Sequence, residues 1–285
     1  MSRAGLAAPE LAICAPMYRE EAIVSAFVAR VRAAAEATDL PWALIIADDA
    51  SPDETGAALR AAASELASHP SGRLLPLSLG TNRGQLGATF AALEAAVVLQ
   101  PRWIVVLDGD LQDPPEQIPD LVAAARAAPE HELHFAVKQQ RDDPAWMRAG
   151  AALYRTALGW LGSRPPPPGA GSYCVMDRAL AERLIRLHPG QANIAPLCAA
   201  LTNRWATVPY DKAARYDGAS RVGALGLARE AWGSWVLAGA AERGAGLLGL
   251  LLTLLSMRWP ACSLFGVAAF VVAGLAMRRR RAAGL

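Results

Sequence analysis

The chain has 285 residues, 53% of them hydrophobic, and a formal net charge of +2. That length accommodates one large α/β domain with an appendage, and the near-neutral balance excludes a nucleic-acid binder that works through bulk positive charge. Lysine occurs only at Lys138 and Lys212; the arginine that replaces it suits bidentate phosphate binding, although a GC-rich genome is the weightier explanation of the bias as a whole.

Leu11–Ala15 is a short apolar run ending at Pro16, followed by an alanine-rich helix over Glu20–Ala37. Trp42–Ala47 predicts the next strand and ends in Asp48-Asp49. Ser51-Pro52-Asp53-Glu54 has the form of a capping box, with Ser51 as N-cap, Pro52 in the first helical position and Glu54 reaching back; the helix then runs to about Ser68. Leu74–Ser78 predicts a third strand, near an edge because it contains Pro76. Gly84–Leu99 predicts a helix, Trp103–Leu107 a buried strand, Glu116–Ala127 a helix and Leu133–Val137 a strand. Asp113 before Pro114 looks like the N-cap of the Glu116 helix.

Strands alternating with helices imply a mostly parallel sheet covered on both faces. Gly80–Gly87 is glycine-rich but has neither dinucleotide-fingerprint nor P-loop spacing, which argues against an oxidoreductase or a P-loop NTPase. Beyond Val137 the regularity falls. Ala145–Leu161 predicts an amphipathic helix with aromatics and arginines, suited equally to a membrane interface and to a core, and Pro165–Pro168 is expected to be extended.

Asp108-Gly109-Asp110-Leu111-Gln112-Asp113-Pro114-Pro115 carries the chemistry. Side chains two apart on a strand share a face, so Asp108 and Asp110 are expected to project together past the strand's end. Gly109 leaves room for a ligand near the backbone. Paired carboxylates at the carboxyl edge of a parallel sheet suit a hard divalent cation carrying phosphates. A lone D-x-D is more often a solvated loop; its weight comes from the rest of the chain.

Cys14, Cys174, Cys198 and Cys262 have no paired spacing and read as buried thiols in a reducing compartment. The four histidines have no ligand spacing. Residues 1–10 lack the pattern of a cleavable signal, so the catalytic part is expected in the cytoplasm. Trp259–Met277 is an uncharged apolar run of spanning length, ending at Arg278–Arg281. Trp235–Met257 is nearly as apolar, interrupted by Glu242-Arg243. The positive-inside rule puts the arginines in the cytoplasm, so the expectation is a helical hairpin with both ends inside, a re-entrant or interfacial pair being the alternative. The domain division is 1–230 catalytic and 231–285 membrane anchor.

Five segments then occur in order: Ala15–Glu20, Asp48–Asp53, Asn82–Gln85, Asp108–Pro115 and Arg215–Arg221. The series resembles the family 2 glycosyltransferases, within them the polyprenyl-phosphate branch, over roughly Leu11 to Arg221. The resemblance implies the GT-A α/β fold, an inner-membrane enzyme with a cytoplasmic catalytic domain, and inverting transfer from a nucleotide diphosphate sugar to a polyprenyl phosphate. It leaves homo-oligomerisation open. It implies that Pro16, Tyr18 and Glu20 line the nucleotide pocket with Asp48, Asp49, Arg83 and Gln85. Asp108, Asp110 and Gln112 would hold Mg²⁺ or Mn²⁺ against the diphosphate, and Arg141, Arg215, Ser220 and Arg221 would contact phosphates. The catalytic set it implies is Asp108, Asp110, Arg141 and Arg221. The family's G-D-[FY] is here Gly171-Ser172-Tyr173, and its G-E-S-K is Gly218-Ala219-Ser220-Arg221. A hydroxyl acceptor on a glycolipid or polysaccharide is the alternative enzyme reading, and a non-catalytic membrane scaffold of the same fold is the non-enzyme one.

Overall fold

A computed structural model describes residues 8–138, 166–187 and 193–211. The element order is β1 (Leu11–Met17), α1 (Val24–Glu36), β2 (Trp42–Asp48), α2 (Thr55–Glu65), β3 (Gly72–Ser78), α3 (Gly84–Val98), β4 (Trp103–Val106), a 3-10 turn (Pro115–Gln117), α4 (Ile118–Ala127), β5 (Leu133–Lys138), β6 (Ala170–Asp177), α5 (Arg178–Leu187), α6 (Ile194–Leu201) and β7 (Trp205–Tyr210).

The strands form one seven-stranded sheet in the order β3-β2-β1-β4-β6-β5-β7. β1, β2, β3 and β4 pair in parallel, as do β5 and β7; β6 runs antiparallel to both β4 and β5. β1 and β2 are buried at every position, because a strand covered on both faces needs apolar residues at successive positions. One face packs Leu11, Ile13, Trp42, Leu44, Ile46 and Val105 against Phe27, Val31, Leu59 and Leu121 of α1, α2 and α4. α3 covers the other face of β1 and β2, where the Cys14 thiol lies 3.6 Å from the Ala92 carbonyl. β3 is an edge strand and less buried, consistent with Pro76.

The parallel sheet flanked by helices is present as expected, and the structure corrects several details. Ser51 is not the N-cap of α2: the helix starts at Thr55, and the Asp53 carboxylate accepts from the Thr55 N–H (3.2 Å) and hydroxyl (2.7 Å). The Ser51 hydroxyl accepts from the Arg19 N–H at 3.0 Å instead. Asp113 is not a helix cap either; it is buried and accepts from the Tyr210 hydroxyl at 2.7 Å. The Pro168–Gly169 end of the proline run turns rather than extends, with Gly169 at φ +84° and the Ala170 N–H donating to the Pro167 carbonyl. β6, α5, α6 and β7 were not anticipated. The amphipathic segment over Ala145–Leu161 and the apolar stretches beyond Trp235 lie outside the described residues; among the described residues no helix is long and apolar enough to cross a membrane.

Candidate active site

The parallel strands β1, β2 and β4 end on the same edge of the sheet, the place where open α/β sheets bind ligands. Three loops meet there. The loop after β1 is stitched to the loop after β2: Arg19 N–H to Ser51 Oγ, Glu20 N–H to Thr55 Oγ1 at 2.9 Å, and Glu54 N–H to Glu21 Oε2 at 2.9 Å. Arg19 and Ala50 take left-handed φ values of 58° and 57° to make these turns. Pro16 is buried at the end of β1, Tyr18 is half-buried, and the Arg19 guanidinium lies 5.4 Å from the Tyr18 ring centroid.

Asp48 and Asp49 are both buried. Asp48 Oδ1 accepts from the Ser51 N–H at 3.1 Å. Asp49 Oδ1 accepts from the Arg83 N–H at 2.6 Å, and its carbonyl accepts from the Asn82 amide at 3.2 Å. Asp49 therefore holds the loop that begins α3, and Arg83 stands exposed at that helix's N-terminal boundary. Gly84 follows at φ +76°, a conformation that favours glycine.

The acidic turn follows β4. Gly109 packs against the end of β1: a Cβ there would sit 2.5 Å from the Pro16 carbonyl oxygen and 2.8 Å from Met17 Cγ. Its bareness lets the turn press against the end of β1. Leu111 at φ 60° reverses the chain. The Gln112 N–H and side-chain amide then donate to Asp110, at 3.1 Å to Oδ1 and 2.7 Å to Oδ2. Asp108 Oδ1 accepts from Gln85 Nε2 at 2.8 Å and from the Ser172 hydroxyl at 2.9 Å. Asp113 is fixed by Tyr210, whose ring meets that of Tyr173 edge-on with centroids 5.5 Å apart; the Tyr173 hydroxyl donates to the Pro114 carbonyl at 3.0 Å. The 3-10 turn beyond is tied to α1 by a bidentate Arg30–Glu116 pair, both contacts 2.7 Å.

Crowding of these acids has an electrostatic result. Burial, followed by repulsion from Asp113 and Asp110, pushes the Asp108 carboxyl up to about 6, against the opposing hydrogen bonds from Ser172 and Gln85. The Tyr173 hydroxyl is pushed well up by burial and by Asp113, as is that of Tyr210. Among the described residues no three His, Cys, Asp or Glu side chains form a ready-made cation cage. The local donor set of carboxylate and amide oxygens nevertheless fits a hard divalent ion, and positive charge there would offset the burial and repulsion that raise Asp108.

The structure thus brings Pro16, Tyr18, Glu20, Asp48, Asp49, Arg83, Gln85, Asp108, Asp110 and Gln112 to one edge. Arg141, Arg215, Ser220 and Arg221 lie outside the described residues. Sequence reasoning gave no role to Tyr173, Tyr210 or Ser172. The one signal was the resemblance of Gly171-Ser172-Tyr173 to the family's G-D-[FY] motif; for Tyr210 there was none.

A sequence model described as "Glycosyl transferase family 2" matches residues 12–184. The chain belongs to that family. The match spans the acidic turn and the first strand-loop pairs. Among relatives, the undecaprenyl-phosphate 4-deoxy-4-formamido-L-arabinose transferase of Edwardsiella ictaluri is 28% identical over 221 residues, 76% of this chain and 64% of its own. The protein of that name from Sodalis glossinidius is 32% identical over 62% of this chain and 50% of its own. The chain therefore spans between half and two thirds of the length of these curated relatives. Two solved structures share the fold. Glucosyl-3-phosphoglycerate synthase from Mycobacterium tuberculosis, in complex with phosphoglyceric acid, superposes with a TM-score of 0.52 at 18% identity, covering 82% of this chain and 81% of that one. The mannosyltransferase of Pyrobaculum calidifontis, crystallised with GDP-Man and Mn²⁺, gives 0.51 at 20% identity, covering 97% and 76%. The fold is GT-A-like, with a mixed, mostly parallel sheet.

Proposed function

We propose that this chain transfers a sugar from a nucleoside diphosphate sugar to a polyprenyl phosphate at the cytoplasmic face of the inner membrane. The observation that carries the reading is the acidic turn itself, with Asp108, Asp110 and Asp113 crowded at the carboxyl edge of the sheet and Asp108 raised by burial and then by its acidic neighbours. The names of the arabinose-transferase relatives support a polyprenyl-phosphate acceptor. The apolar stretches Trp235–Met257 and Trp259–Met277 support attachment to a membrane.

Asp108, Asp110 and the carbonyl oxygen of Gln112 would hold Mg²⁺ or Mn²⁺, with donor phosphates and water completing the shell as is common for such ions. When bound, the ion supplies Lewis-acid neutralisation of the departing diphosphate. The chain's own residues do the rest. Pro16, Tyr18 and Glu20 bound the nucleoside cleft, and Asp48 and Asp49 shape the loops that enclose it, with unoccupied lone pairs for base and ribose donors. Arg83 and the α3 N-terminus offer positive charge to phosphate. Arg141, Arg215, Ser220 and Arg221 are proposed to hold the acceptor and donor phosphates, where arginine forks offset their mutual repulsion. The acceptor is an oxyanion at neutral pH, so attack on the anomeric carbon, with inversion, needs no strong protein base.

The test incubates the membrane-bound chain with undecaprenyl phosphate and radiolabelled UDP- or GDP-sugars, then extracts lipid. A labelled, acid-labile prenyl-phosphate sugar that disappears in Asp110→Asn is the expected result. Label found only on hydroxyl-bearing glycans would overturn the acceptor assignment.

A further inference from the structure

Asp108 and Asp110 are held differently. Asp110 accepts both of its bonds from Gln112, within its own turn. Among the described residues, the hydrogen bonds to Asp108 come from two distant elements, Gln85 in the first turn of α3 and Ser172 near the start of β6, and both end on Oδ1. The placement of Ser172 follows from strand register. β4 and β6 pair antiparallel with Val106 opposite Cys174, and two further residues along each chain bring Asp108 opposite Ser172.

A carboxylate oxygen accepts about two hydrogen bonds through its lone pairs, so Oδ1 is filled and Oδ2 remains for another partner. Both donors are neutral. They fix the orientation of the carboxylate without cancelling its charge, whereas a lysine or arginine at either place would compete with a bound cation. We propose that Gln85 and Ser172 are positioning residues: they clamp one oxygen of Asp108 so that the other faces the diphosphate-bound divalent cation. This rests on the reading of Asp108 as a cation ligand, and it gives Gln85 a task other than contact with the nucleotide.

The test measures Mn²⁺ affinity of the purified full chain by electron paramagnetic resonance of free Mn²⁺, with UDP or GDP present, alongside thermal melting. Ser172→Ala and Gln85→Leu should each weaken Mn²⁺ binding about tenfold, the usual scale for groups that orient a metal ligand, with melting temperature nearly unchanged. Because the two donors share one oxygen, the double variant should lose less than the product of the single losses. Ser172→Thr, which keeps the hydroxyl, should restore binding. Unchanged affinity in both single variants, beside a wild type that binds, would overturn the clamp alone. If Ser172→Ala melts early, Ser172→Thr and Gln85→Leu still decide. A wild-type chain that binds no Mn²⁺ with either nucleotide would remove the metal reading, and the clamp with it.

Discussion

The two halves of the sheet are built on different physics. β3, β2, β1 and β4 are parallel and rich in aliphatic residues, their central strands sealed on both faces. The half formed by β6, β5 and β7 is mixed in direction and carries polar groups inside. Tyr173 and Tyr210 reach the acidic turn from it, while at its opposite end Glu132 accepts from Arg183 at 2.6 Å and Arg204 at 3.2 Å. His134, on β5, is buried and has no hydrogen-bond partner at either ring nitrogen among the described residues. The first half is held chiefly by burial; the second adds specific pairing, which reaches Asp108 through Ser172 and Asp113 through Tyr210.

The largest expected effect lies on the seam between the halves. Asp110→Asn should lower transfer by about a hundredfold or more, the scale for losing charge-stabilising groups at a reacting centre, while the melting temperature stays put. A variant that keeps full turnover would separate the acidic turn from the chemistry. Gly109→Ala comes next. Its methyl would crowd Pro16 and Met17, so a stability loss of about 1–3 kcal/mol in chemical denaturation is expected, together with reduced transfer.

Tyr210→Phe sharpens the contrast. It removes a hydrogen bond to buried Asp113 and should destabilise by about 1–2 kcal/mol. Ile45→Val, in the apolar half, should cost a comparable amount, about 1 kcal/mol. Only the tyrosine change should also raise the Mn²⁺ requirement for transfer; equal effects of both would mean the second half contributes bulk stability alone. The smallest effect concerns pH. Burial, then the neighbouring His131, lowers the His134 pKa, so the folded state keeps this ring neutral where the unfolded chain protonates it. Its contribution is full above the ordinary histidine range near about 6.5 and is lost as pH falls below it. His134→Leu should flatten that acidic limb in melts recorded from neutral pH downward. An unchanged limb would assign the acid sensitivity to other groups.

The same contrast explains what could be read from residues alone. Continuous aliphatic runs such as Trp42–Ala47 and Trp103–Leu107 announce buried parallel strands, and the acids just after them fall at the sheet edge by topology. β6 and β7 are shorter on such signals. Ser172 and Tyr173 follow a proline run, and Trp205–Tyr210 contains Thr207 and Pro209; neither segment shows clean alternation. Asp113 before two prolines fits a local capping rule, but its carboxylate accepts from the Tyr210 hydroxyl, 97 residues away. Ser51 lost its capping role in the same manner, to the backbone of Arg19. Local rules failed where long-range polar contacts organise the site.

The reversed direction of β6 has one more effect. Parallel β5 finishes at Lys138 on the ligand-binding edge, and antiparallel β6 begins at Ala170 on that same edge. The chain thus departs and re-enters without having to travel back across the sheet. Because both ends lie on one edge, the strand ladder itself sets no limit on how many residues join those two points.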